Sequence, residues 1–178
     1  MISTMATGKH SKKRLLLQWH ITERCNAHCR HCYQDEHALS ELPLTQLLSI
    51  LDQYKALLTQ WRRLSRGHIG GHITITGGDP FIRDDFSQLL EIFARHQKWF
   101  TFAVLTNGLA IDDPTARFLK SLSPQFVQVS LEGSRSTHDH LRGEGNFDQT
   151  VAAITQLVYA GIPTLIAFTA HKGNFREF

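Results

Sequence analysis

The sequence predicts an α/β protein built on a parallel sheet. Two observations carry that prediction. Short apolar or β-branched runs alternate with longer stretches whose apolar residues recur at helical spacing, the pattern of successive βαβ units. Each unusual motif also falls at the carboxyl end of one of the short runs: a cysteine cluster after the first, Gly-Gly-Asp-Pro after the second, Thr-Asn-Gly after the third and Ser-x-Glu-Gly after the fourth. Ligands collect at that edge of parallel α/β folds, because the strand ends converge there.

Residues 1–13 are polar and basic (Lys9, Lys12, Lys13) and are expected to be disordered. Residues 15–21 (LLLQWHI) form a short, mostly apolar run, expected as a buried strand that leads into the cysteine loop. Pro43 opens a helix marked by Leu44, Leu47, Leu48, Leu51, Tyr54, Leu58 and Trp61. Residues 73–76 (ITIT) are β-branched throughout and predict the second strand. Asp84 or Asp85 is the expected cap of the next helix, whose inward face is Phe86, Leu89, Leu90 and Phe93. Residues 100–106 predict the third strand. Asp112 or Asp113, with Pro114 in the first turn, starts a helix with Phe118, Leu119 and Leu122 inward. Residues 126–131 predict the fourth strand. Phe147, Val151, Ile154, Leu157 and Val158 mark the fourth long helix, and Gly161 stops it. Residues 162–169 predict a fifth strand, and Asn174 resembles the cap of a further helix.

At 178 residues, with 42% hydrophobic and 20% charged residues, the chain fits one soluble domain. A net charge of +3 gives no case for nucleic acid. No apolar run is long enough to span a membrane and no signal-peptide pattern is present, so the expected compartment is the cytoplasm. The pair His138-Asp139 lacks any accompanying nucleophile motif, which argues against a hydrolase.

All three cysteines, Cys25, Cys29 and Cys32, lie within eight residues. An odd number of clustered thiols reads as a metal site rather than a disulfide framework. One possibility is a Cys3His zinc site completed by His20, His28, His31 or His37. The other is a [4Fe–4S] cluster, in which three thiolates leave one iron open.

The spacing Cys-x-x-x-Cys-x-x-Cys directly after a strand resembles the signature of the radical S-adenosylmethionine (SAM) superfamily. The resemblance extends from about residue 15 to the end of the chain, with four motifs in family order. It implies a partial (β/α) barrel of six units, here truncated after the fifth strand, so that residues 14–178 form a core without the sixth strand and the C-terminal region. It implies a [4Fe–4S] cluster on Cys25, Cys29 and Cys32 whose open iron chelates SAM. Reductive cleavage of SAM then gives a 5′-deoxyadenosyl radical that abstracts hydrogen from substrate. Gly77, Gly78 and Asp79 are implied at the SAM amino group, Asp79 being one methylene shorter than the family's usual glutamate. Ser130 and Glu132 are implied at the ribose, Arg142 at the SAM carboxylate, and the backbone of His31 at the adenine.

The branch resembled contains sulfatase maturases, quinone-cofactor peptide enzymes and thioether-forming enzymes. That implies a peptide or protein substrate and an electron donor such as flavodoxin or ferredoxin. Tyr33, after Cys32, matches the peptide-modifying members, whereas Asn107 is read as a turn residue. Two rival readings are a zinc-stabilised α/β binding module and a non-catalytic SAM-binding fragment.

Overall fold

Among the described residues five strands pair in sequence order, β1-β2-β3-β4-β5, and every pair is parallel. The computed structural model describes residues 13–34, 41–65 and 69–177. The strands are β1 (Lys13–His20), β2 (Ile69–Thr76), β3 (Phe100–Thr106), β4 (Val127–Ser130) and β5 (Thr164–Ala167). The helices are α1 (Leu44–Leu64), α2 (Phe86–Arg95), α3 (Asp113–Leu122), α4 (Arg135–Arg142) and α5 (Asn146–Tyr159). β1 and β5 are the two edges, so the sheet is an open arc, a partial barrel. Residues 1–12, most of the segment expected to be disordered, lie outside the described residues, and Lys13 already belongs to β1.

Alternation along the strands gives the sheet two faces of different character. The helix side carries Trp19, Ile73, Ile75, Phe100, Phe102, Val104, Val127 and Val129, all buried. They pack against Leu47, Leu51 and Leu58 of α1, Leu89, Leu90 and Phe93 of α2, Leu119 of α3 and Leu157 of α5. Phe93 stacks on Trp19 and meets Phe100 and Phe102 edge-on. Full burial of each large apolar side chain contributes roughly 1.5–3 kcal/mol. The inner side of the arc is mixed: Gln18, His20, His72, Thr74, Thr76, Thr101 and Gln128 share it with Leu16, Ala103, Leu105 and Leu165. His72 Nδ1 and Thr101 Oγ1 bond across it at 2.8 Å.

Several expectations need correction. β1 is not a buried strand: only Trp19 is buried, and Leu16 is 69% exposed. Its position at the sheet edge, with Leu16 on the open inner face, accounts for this. Asp85 occupies the N-cap position of α2 without capping it, because its carboxylate takes Nε and Nη2 of Arg83, each at 2.9 Å. Asp112 does cap α3, accepting from Thr115 N at 2.8 Å. In α5 the buried side is Thr150, Ala153 and Leu157, while Val158 is 56% exposed. A Cβ at Gly108 would lie 3.3 Å from Ala153 Cβ, so the helix comes so close to the end of β3 that only small residues fit between. Asn174 is buried and starts no helix; its side chain closes a turn, donating to Thr169 O (3.0 Å) and accepting from His171 N (2.7 Å).

α4 was not anticipated. Only His138 of its eight residues is buried, so it shows no apolar period. Its N-terminus is capped from a distance: the Glu177 carboxylate accepts from Ser134 N and Thr137 Oγ1, both at 2.8 Å. Those bonds hold the Glu177 carboxyl below the usual carboxylate range.

Candidate functional site

The cysteine loop continues the β1–β2 pairing beyond the strands. Ile21 N donates to Thr76 O at 3.0 Å, Gly78 N to Thr22 O at 2.9 Å and Asp79 N to Arg24 O at 2.8 Å. A Cβ on Gly78 would lie 2.2 Å from Arg24 O, and one on Gly77 2.3 Å from Thr22 O. The two glycines therefore allow one loop to lie on the other, while both also line the cavity above.

That cavity, about 360 Å3, sits at the carboxyl ends of the strands. All three thiols line it, with Cys25 and Cys29 partly buried and Cys32 exposed. Each sulfur receives an N–H. Ala27 N (3.4 Å) and Asn107 Nδ2 (3.6 Å) point at Cys25 Sγ, Arg142 Nη1 (3.7 Å) at Cys29 Sγ, and Gln34 N (3.4 Å) at Cys32 Sγ. Burial pushes the Cys25 and Cys29 thiols up, and at Cys29 the Arg142 charge opposes that push. A metal displaces those protons on binding.

The donor set fits an iron–sulfur cluster. A zinc site needs its ligands to converge on one ion at about 2.0–2.3 Å. Among the described residues no three His, Cys, Asp or Glu groups converge in that way, and His37 lies outside the described residues. The thiolates of a cubane each take a different iron, so sulfurs spread around a cavity and receiving N–H bonds suit it.

Asp79 is fully buried. Its Oδ1 accepts from Phe81 N (3.0 Å), and its Oδ2 accepts from Thr106 Oγ1 (2.7 Å) and Asn107 N (2.8 Å). The carboxylate thus ties the end of β2 to the end of β3 and does not face the cavity. Asn107, read as a turn residue, does more: its amide also bonds Asn26 Oδ1 at 2.8 Å, clamping the cysteine loop from β3. Tyr33 donates to Gly77 O (3.2 Å) and lies 3.0 Å from His20 Nδ1 at the cavity's mouth.

Ser130 and Arg142 line the same cavity, but Glu132 does not. Glu132 is fully buried and accepts from Arg142 Nε (3.1 Å) and Nη2 (2.6 Å). His31 Nε2 lies 3.5 Å from both Arg142 Nη2 and Glu132 Oε1. Burial first, and then the Arg142 charge, lowers the His31 pKa, with Glu132 opposing.

A parallel α/β arc with three clustered thiols and a buried-carboxylate-backed arginine at its strand ends has the form of a ligand-binding α/β core. The radical SAM superfamily pattern matches residues 19–177, and the chain belongs to that superfamily. Its members use a [4Fe–4S] cluster and SAM. The Fe-coproporphyrin III synthase of Methanosarcina barkeri is 32% identical over 166 residues, covering 93% of this chain and 39% of the relative. The mycofactocin maturase MftC of Mycobacterium tuberculosis is 30% identical over 150 residues, covering 83% of this chain and 35% of the relative. SuiB of Streptococcus suis superposes with a TM-score of 0.71 at 20% identity, over 93% of this chain and 35% of SuiB. It has also been solved with SAM and with its precursor peptide SuiA. The chain therefore spans a little over a third of the length of these proteins.

Proposed function

We propose that this chain carries the cofactor-binding core of a radical SAM enzyme that modifies a peptide or protein. The observation that carries the reading is the Arg142–Cys29 approach, 3.7 Å between Nη1 and Sγ. It sets a carboxylate-binding cation beside a cluster ligand, as SAM held on the open iron requires. When bound, the cluster and SAM would supply one-electron chemistry for hydrogen abstraction from the substrate. Cys25, Cys29 and Cys32 would hold three irons, Arg142 would take the SAM carboxylate, and Ser130 would bond the cofactor from β4. Gly77, Gly78 and Asp79 contribute backbone, and His31 closes the side next to Cys32.

The peptide reading draws support from the likeness to MftC and SuiB. The Fe-coproporphyrin III synthase relative favours a porphyrin as a second reading. The inner sheet face tips the balance. At the cavity it presents the neutral hydrogen-bonding groups Thr76 and Gln128 beside Leu105, which suit peptide amides. Porphyrin carboxylates favour cations, and on β1 Arg14 sits at the far end, engaged with Gln125 at 3.0 Å. A low-potential donor of the flavodoxin or ferredoxin kind and a cytoplasmic setting complete the proposal; no described helix is long and apolar enough to cross a membrane.

The test is Arg142→Ala in anaerobically reconstituted protein. Loss of a charged hydrogen bond costs roughly 1.5–3 kcal/mol, so SAM affinity falls about ten- to a hundred-fold while iron content holds. Unchanged affinity would overturn the assignment.

A further inference from the structure

We infer that Glu132 is a positioning residue. It aims the Arg142 guanidinium into the cofactor cavity and does not itself touch the cofactor. The inference rests on the reading that Arg142 receives the SAM carboxylate.

Sequence places Ser130 and Glu132 together as ribose ligands, but the fold separates them. Ser130 is the last residue of β4 and lines the cavity, whereas Glu132 lies beyond the strand and is sealed off, with no exposed surface. Both carboxylate oxygens are already engaged. Oε1 accepts from Nε and Nη2 of Arg142 at 3.1 and 2.6 Å, and Oε2 accepts from Thr169 N at 2.8 Å. A ribose hydroxyl would have to displace one of these bonds in a place it cannot reach.

The bonds fix which edge of the guanidinium is free. Glu132 holds the Nε–Nη2 edge, which leaves Nη1 as the group nearest Cys29 Sγ. Arginine carries several rotatable bonds, and fixing them unaided costs conformational entropy. The Arg142 side chain is only 13% exposed, so a buried counter-charge also offsets its desolvation.

The other oxygen gives the arginine a reference point in the fold. Thr169 follows β5, and its carbonyl accepts from Asn174 Nδ2 at 3.0 Å, with Asn174 buried. The direction of Arg142 is thus set by the turn after β5, the opposite edge of the sheet from the β1 strand that leads into the cysteine loop. Displacement of that turn would reach the SAM site through one carboxylate.

The experiment compares Glu132→Gln, Arg142→Ala and the double variant in reconstituted protein. It reads iron per chain, affinity for SAM and for decarboxylated SAM, and the SAM-induced change in the reduced cluster's electron paramagnetic resonance. Glu132→Gln is expected to keep its iron, to lose about tenfold in SAM affinity and to leave decarboxylated SAM within about twofold, since only the carboxylate contact is misaimed. It should add no further loss in the Arg142→Ala background. Equal weakening of both ligands, in both backgrounds, would mean direct ribose contact and overturn the inference. Unchanged SAM affinity in Glu132→Gln, with Arg142→Ala weakened, would overturn the inference alone. An unaffected Arg142→Ala would instead overturn the reading beneath it. Should Glu132→Gln lose iron, the double variant decides: it buries no unpaired cation, so recovery of iron to the Arg142→Ala level supports the pairing. Persistent loss overturns it.

Discussion

Asn107 donates its side-chain amide to Cys25 Sγ at 3.6 Å and to Asn26 Oδ1 at 2.8 Å. The end of β3 thereby holds the first cysteine of a loop that follows β1. The same side chain accepts from Leu109 N at 2.8 Å, so its orientation is fixed by its own turn.

Asn107→Ala removes both bonds to the cysteine loop, a loss of about 1–3 kcal/mol in the order of that loop. The reconstituted variant should surrender iron to a chelator several-fold faster than the parent. Equal rates would mean the clamp is incidental to the cluster.

Asp79 satisfies three donors from two strand ends, so its value is structural. Asp79→Asn keeps the volume but turns an acceptor into an N–H facing donors, at a cost of about 2–4 kcal/mol. Chemical denaturation should show that loss, while SAM affinity of the folded variant stays within about twofold because the carboxylate does not face the cavity. A large fall in affinity with unchanged stability would place Asp79 on the cofactor.

The legible part of this fold was the part governed by local pattern. Residues 100–106 form β3 as the run of apolar residues indicates, and Phe86, Leu89, Leu90 and Phe93 all face inward. The cysteine spacing marked a loop whose three thiols line the cavity at the strand ends. What sequence missed depends on partners far along the chain. α4 is polar and is capped by Glu177, 43 residues beyond Ser134. Asn-Gly after β3 is a turn signal, and nothing local reveals that Asn107 reaches Asn26, 81 residues back. Ser130 and Glu132 share a strand face only while the strand lasts, and β4 ends at Ser130.

His138 gives the fold a dependence on pH. It is fully buried, and its Nδ1 accepts from Glu132 N at 3.2 Å, which requires a neutral ring. Burial, then the Arg142 charge, lowers its pKa, with Asp139 and Glu132 opposing. The unfolded chain binds the proton more readily, so this contribution is complete above the unfolded value of about 6.5 and is lost as pH falls toward the folded value. Urea midpoints should drop between about pH 7 and pH 5, and His138→Gln should flatten part of that slope. His31 and His72, also lowered by burial, act in the same direction. An unchanged slope in His138→Gln would show that the ring does not carry it.

The most direct test of the account combines metal content with SAM binding on one sample. Anaerobic reconstitution should give about four irons and four sulfides per chain. Replacing any one of Cys25, Cys29 or Cys32 by Ala should remove most of both. SAM should then alter the electron paramagnetic resonance of the reduced cluster, because it binds the iron that no thiol holds. A chain that binds one zinc and no iron, or a four-iron cluster whose spectrum ignores SAM, would contradict the account.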